Sequence, residues 1–223
     1  MRSFEAIIFD FDGVLLESEY EGNRLLADLL SDLGHPHSVE DALDHYVGLS
    51  GPQFLAAIED RIGGPLPAEF LDRRNAQSVA ALRDGVPAVA GAVDFVRSLP
   101  PDLPKAVASS SSMGWLRGHL THLGLTDLFG PHVYSGREHV GRGKPEPDLY
   151  LHAAKELGVL IAKTVILEDS RIGAMGAVAS GAWVIGLAAG AHCRDGHEGM
   201  LRGFGVKDVA HSFDEVRRLL ALD

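Results

Sequence analysis

The sequence predicts an α/β protein, a doubly wound parallel-sheet, Rossmann-like core carrying an inserted α-helical domain, and three observations predict it. From Pro87 onward, helix-period and strand-like segments alternate, which calls for crossover connections and therefore parallel strands. Several strand-like segments are unbroken apolar runs, the pattern of strands buried on both faces, and they end on polar side chains. Between residues 16 and 86 the helical period continues with no strand signal, so this stretch reads as an all-helical insertion. With 223 residues, 46% of them hydrophobic, the chain is long enough for one large domain or for a core plus a smaller one.

Taken in order, the run Ala6-Ile7-Ile8-Phe9 predicts a strand over 5–10. Leu25, Leu26, Leu29, Leu30 and Leu33 predict a helix over 18–34, closed by Gly34 and Pro36. Helices over 39–47, 51–62 and 67–84 follow, separated by the Gly/Pro turns at 48–52 and 63–67. The alternating part gives helix 88–99, strand 104–109, helix 113–123, strand 132–135, helix 147–157, strand 164–168, helix 171–180 and strand 183–187. Residues 1–15 and 87–223 would then form the sheet domain and 16–86 the helical one. Linkers at 15–18 and 85–87 would be hinges, with Gly85 supplying freedom beside the stiff Pro87.

The first strand ends on Asp10-Phe11-Asp12-Gly13. Residues i and i+2 of a strand point the same way, so both acids face one pocket. Such a pair suits a nucleophile with a neighbouring proton donor, a Mg²⁺ site, or both; it also suits a strand end facing water. Three more segments bear on the choice. Lys105-Ala-Val-Ala-Ser109-Ser110-Ser111-Ser112 is an apolar run stopping on hydroxyls, and Gly141-Arg-Gly-Lys144-Pro-Glu-Pro147 holds a lysine in a stiff frame. Thr164-Val-Ile-Leu-Glu168-Asp169-Ser170 is another run ending on acids. Together they read as one site assembled at the carboxyl edge of a parallel sheet.

The order and content of these four segments resemble the haloacid dehalogenase-like hydrolases, in particular their Mg²⁺-dependent phosphatase branch, and the resemblance spans residues 6–187. It implies that 16–86 is a C1-type cap. By the same resemblance Asp10 is the nucleophile that forms an aspartyl-phosphate and also binds Mg²⁺, while Asp12 offers its carbonyl to the metal and its side chain as general acid/base. Asp169 would be the second carboxylate ligand, with Glu168 a direct or water-mediated contributor. Ser109 and Lys144 would hold the transferring phosphoryl group. Gly13 would let backbone N–H groups, with Val14, face the phosphate. Ser110 and Ser111 are candidate substrate contacts, and one serine of 110–112 serves only as a helix cap.

The implied partner is a small-molecule phosphate ester, a sugar or sugar-acid phosphate. Segment 135–155 resembles bacterial sugar-phosphate phosphatases, including those acting on 6-phosphogluconate. The chain also resembles β-phosphoglucomutase, whose cap histidine and arginine fall opposite Gly22 and Gly51, so water is the expected acceptor and phosphotransfer the alternative. A non-catalytic binding protein would be expected to lose Asp10 or Lys144, and both are kept. No lysine lies in the insertion, against a Schiff-base hydrolase, and the acids at 12, 168 and 169 argue against a metal-free dehalogenase.

Other classes are excluded more simply. A formal net charge of −11 argues against nucleic acid as a partner. No apolar stretch approaches the ~18–20 residues of a membrane span. Cys193 is the only cysteine, so a cytoplasmic protein without an internal disulfide is expected, as a monomer or weak homo-oligomer. No G-x-S-x-G elbow and no G-x-x-x-x-G-K-[ST] frame occurs. His35, His37, His139, His192 and His197 lack H-x-x-x-H spacing with a suitable acid and read as structural or surface residues, as does Cys193. Residues 16–86 hold thirteen acids against five arginines, a lid suited to a neutral, hydroxyl-rich leaving group. Asn23, Arg24 and Ser50 are the candidate specificity residues there.

Overall fold

The computed structural model describes residues 3–47, 49 and 51–222, so Ser50 lies outside the described residues. Strands form where the apolar runs lie: β1 Ala6–Phe9, β2 Lys105–Ser109, β3 Val133–Ser135, β4 Thr164–Glu168, β5 Trp183–Leu187 and β6 Asp208–Ala210. They pair in parallel in the order β3-β2-β1-β4-β5-β6. Every residue of β1, β2 and β4 is buried, as their continuous apolar character requires. The chain winds outward one way from β1 through β2 to β3 and the other way from β4 through β5 to β6. That reversal leaves a crevice at the carboxyl ends of β1 and β4.

Two compact units result, Met1–Glu17 with Pro87–Asp223, and Ser18–Val86. The second is a helical insertion of α1 Ser18–Asp32, α2 Val39–Tyr46, α3 Gly51–Ile62 and α4 Phe70–Asp84. Leu26, Leu29 and Leu30 stripe one face of α1 and pack with Ala42, Tyr46, Ile58 and Phe70. Ser38 starts α2 with a capping box shared with Asp41, which satisfies two backbone donors at once.

In the sheet unit, α5 Ala92–Ser98, α6 Met113–His122, α7 Thr126–Phe129, α8 Asp148–Glu156, α9 Arg171–Ser180, α10 His197–Gly203 and α11 Phe213–Leu220 connect or follow the strands. Alternation along β1 sends Ile8 to a core with Ala106, Ile166, Leu149, Ala153, Ala174 and Leu201, contributed in part by α8, α9 and α10. Phe9 faces the other way, edge-on to Phe95 of α5 and Phe129 of α7, and Phe95 meets Phe213 of α11. The sheet is thus covered on both faces. The predicted helix 88–99 begins only at Ala92, because Leu16 and Ala88 form an antiparallel bridge and Val89 N–H donates to the Leu15 carbonyl. Beyond the last predicted strand, which ends at 187, the structure continues through α10, β6 and α11.

Candidate active site

Asp10 directly follows β1, and its N–H donates to the Leu167 carbonyl at 2.9 Å, so the β1–β4 ladder itself places it. Lys144, from the loop before α8, reaches across to donate to Asp10 Oδ1 at 2.6 Å and to Glu168 Oε2 at 2.8 Å. All three side chains are buried, the lysine only 4% exposed. Glu168 is held on every side: Tyr150 Oη donates to Oε2 at 2.6 Å, and Oε1 accepts from Asp169 N–H, Ser170 N–H and Ser170 Oγ. With five donors, this carboxylate acts as a rigid anchor for Lys144. Ser170 also caps α9 by accepting from Gly173 N–H, as its sequence position suggests.

Asp169 differs from its neighbour. His192 Nε2 donates to its Oδ2 at 2.9 Å and His197 Nε2 to its backbone carbonyl at 2.8 Å, while Oδ1 is buried without a hydrogen-bond partner. Burial, then the Glu168 charge, pushes the Asp169 carboxyl well above the usual carboxylate range; the same two causes raise Asp10, with Lys144 opposing. For Glu168 burial also works upward, but the Lys144 charge and the bonds from Lys144, Tyr150 and Ser170 outweigh it and hold the group low. Burial would lower Lys144, yet Asp10 and Glu168 override it and keep the ammonium charged.

Fully ionised, the cluster sets three carboxylates against one ammonium, an imbalance that a hard dication would offset. Ligand oxygens of Asp10, Glu168 and Asp169 lie within 4.8 Å of one another. An all-oxygen set with one orphaned buried oxygen fits Mg²⁺, which is content with one or two carboxylates and keeps several waters.

Asp12 sits in a separate clasp. Its Oδ2 accepts from Ser111 Oγ at 2.6 Å and Ser109 Oγ at 3.3 Å, and its Oδ1 accepts from Trp115 Nε1 at 3.0 Å. Ser109 Oγ also accepts from Ser111 N–H, which folds the serine loop around the carboxylate. Ser112 is the serine that caps α6.

The structure brings Asp10, Asp12, Gly13, Ser109, Ser111, Lys144, Glu168 and Asp169 to one edge of the sheet unit. Gly13 has φ +81°, and a Cβ there would lie 2.0 Å from Asp169 Oδ2. The glycine is therefore demanded by close approach of Asp169, while its N–H donates to the Leu16 carbonyl and that of Val14 to Phe11; neither faces outward as expected. Ser110 is exposed, its carbonyl accepting from Arg137 Nε at 2.9 Å. In the helical unit Arg24 pairs with Glu21 and Asp28 of its own helix, and Asn23 donates to the Glu19 carbonyl. His192 and His197, expected as structural or surface residues, both hold Asp169. Trp115 and Tyr150 were also missed. For His192 the available signal was Gly190 two residues earlier, which makes room for its ring.

A parallel sheet presenting a buried aspartate–lysine–acid cluster at its switch point is an arrangement suited to hydrolysis at the strand ends. A profile of the haloacid dehalogenase-like hydrolases matches residues 4–181, and the chain belongs to that family; it is a phosphatase of that kind. A HAD family hydrolase from Deinococcus radiodurans, solved with bound phosphate and sodium, superposes with a TM-score of 0.86 at 34% identity, covering 99% of this chain and 96% of that one. Hexitol phosphatase A of Escherichia coli is 29% identical over 83% of each chain, and 6-phosphogluconate phosphatase of the same species is 25% identical over 86% of each. Among the described residues no helix is long and apolar enough to cross a membrane.

Proposed function

We propose that this protein hydrolyses small phosphate monoesters, of sugars or sugar acids, by a Mg²⁺-dependent route through an aspartyl-phosphate on Asp10. The observation that carries this reading is Asp10 fixed by Lys144 beside the unpartnered Oδ1 of Asp169. The names of two relatives, a hexitol phosphatase and a 6-phosphogluconate phosphatase, support the substrate class.

A phosphate monoester is already anionic, so the site must offset charge before a carboxylate can approach phosphorus. Asp10, Asp169 and the Asp12 carbonyl would hold Mg²⁺, which when bound supplies that offset. Glu168, saturated by its donors, contributes through Lys144. Lys144 fixes the Asp10 carboxylate and brings a positive charge to the transferring group. An Asp10 oxygen attacks phosphorus, the ester P–O bond breaks, and the leaving alkoxide takes a proton from Asp12. Asp12 then removes a proton from water, which attacks the aspartyl-phosphate and releases inorganic phosphate with Asp10 regenerated. Ser109 and Ser111 hold Asp12 in place through both exchanges. Glycines stand at 22 and 51, where the mutase resemblance would place a histidine and an arginine, which favours water over a second sugar hydroxyl as the acceptor.

A sugar-phosphate panel assayed with and without Mg²⁺ tests the proposal. Inorganic phosphate should appear only with the metal, and Asp10→Asn should abolish turnover in a folded protein, since the amide keeps the shape and loses the nucleophile. Undiminished activity of the purified variant would refute it.

A further inference from the structure

We infer that His192 is a positioning residue that restricts Asp169 to one metal-facing oxygen, and so sets the site's preference for a small dication; this rests on the Mg²⁺ reading above. The slot for the histidine is built into the fold. Ala191 N–H donates to both Glu17 carboxylate oxygens at 3.1 Å and Cys193 N–H to the Gly190 carbonyl, which pins the loop after β5. A Cβ on Gly190 would lie 2.6 Å from the His192 ring, and one on Gly13 would meet both that ring, at 3.0 Å, and Asp169 Oδ2. Two glycines therefore clear space for one contact. It is dry, the His192 and Asp169 side chains being 1% and 2% exposed.

With Asp169 ionised for metal binding, Oδ2 accepts and Nε2 of His192, which also lies 3.4 Å from Cys193 Sγ, is assigned the proton. His197 adds a second grip on the backbone of the same residue, its ring edge-on to that of His192 at 5.5 Å. With Oδ2 held by His192, Oδ1 is the oxygen left unpartnered and free to ligate. One-oxygen ligation suits Mg²⁺, which demands tight octahedral geometry; Ca²⁺ takes more oxygens at longer range and accepts carboxylates bidentately. Partners of metal ligands also carry affinity, their loss costing about 10–100-fold.

Calorimetric titration of EDTA-stripped protein with Mg²⁺ and with Ca²⁺ tests the inference. His192→Leu fills the slot without a donor and should weaken Mg²⁺ binding by about 10–100-fold, with a smaller loss for Ca²⁺, so that the Mg²⁺/Ca²⁺ affinity ratio falls. His192→Gln offers an N–H at similar reach and should restore most of that ratio. Gly190→Ala, which displaces the ring without deleting it, should act like His192→Leu and serves if that variant does not fold. Wild-type affinity in folded His192→Leu would overturn the inference, and so would equal losses for both cations unrescued by Gln. Asp169→Asn separates the two readings: if it leaves Mg²⁺ binding intact, the metal assignment fails; if it removes binding while His192→Leu does not, only the role of His192 fails.

Discussion

At the scale of single residues, Asp12 shows how a proton-transfer group is kept in place. Its two oxygens accept from Ser109, Ser111 and Trp115, and the indole in turn lies edge-on to the buried His119 ring, 4.1 Å between centroids. Burial holds His119 below its ordinary range, so it is a neutral wall behind Trp115. Asp12→Ala should slow sugar-phosphate turnover by about 10² or more, the scale of general acid–base catalysis. The loss should shrink for an aryl phosphate, whose leaving group hardly needs a proton; equal losses in steady-state kinetics on both substrates would contradict the role. Trp115→Phe keeps the ring and removes the N–H, and should lower kcat on alkyl esters about tenfold, near 1.4 kcal/mol, again with less effect on aryl esters. Asp10, Asp12, Lys144, Glu168 and Asp169 were legible because each stands within one short segment of recognisable pattern. Trp115 and His192 were not, since their partners lie 103 residues away in one case and on a different strand end in the other, and only the fold joins them.

At the scale of elements, α9 is where packing and chemistry meet. It carries Gly173, Ala174, Gly176 and Ala177 on its buried face. A Cβ on Gly173 would lie 2.0 Å from the Glu168 carboxylate, and one on Gly176 would lie 2.9 Å from the Glu146 carbonyl and 3.0 Å from that of Pro145, next to Lys144. The helix can therefore approach both the acid and the lysine loop only through glycine. Gly176→Ala pushes on backbone and should cost about 1–3 kcal/mol, the usual range for overpacking, read as a lower denaturation midpoint. Gly173→Ala should displace Glu168, unseat Lys144 and depress kcat more than stability; unchanged kcat in folded protein would count against the anchoring role of Glu168. The small-residue run was legible as a close-packing helix. The elements after 187 were not read: β6 is three residues long and is defined by its pairing with β5, and α10 is short and opens on a glycine. For α11 a signal existed, Ser212 accepting from Glu215 N–H ahead of Phe213, Val216 and Leu220, an S-x-x-E start before an apolar face.

At the scale of the whole molecule, the two units keep separate cores. Leu26, Leu30, Tyr46, Ile58 and Phe70 belong to the helical one, and Ile8, Ala106, Ile166 and Leu149 to the sheet. The carboxylates, the lysine and both histidines of the site all come from the sheet unit, although its chain is interrupted at 17 and resumes at 87. The interruption is sewn shut: Glu17 N–H donates to the Pro87 carbonyl at 2.9 Å, and Leu16 bridges to Ala88. The two chain ends are neighbours, so a short flexible linker can join them at little entropic cost. Replacing residues 18–86 by a few glycines and serines should leave a chain that unfolds cooperatively with an α/β circular dichroism spectrum. Because the residues proposed to hold the metal all lie in the sheet unit, calorimetry should find Mg²⁺ binding close to that of the whole chain. If the insertion governs substrate choice, the shortened protein should also lose the whole chain's discrimination among sugar phosphates in the same panel. A cooperatively folded product that ignores Mg²⁺ would show that the helical unit supplies part of the metal site, and a molten one that the sheet depends on the insertion for its packing.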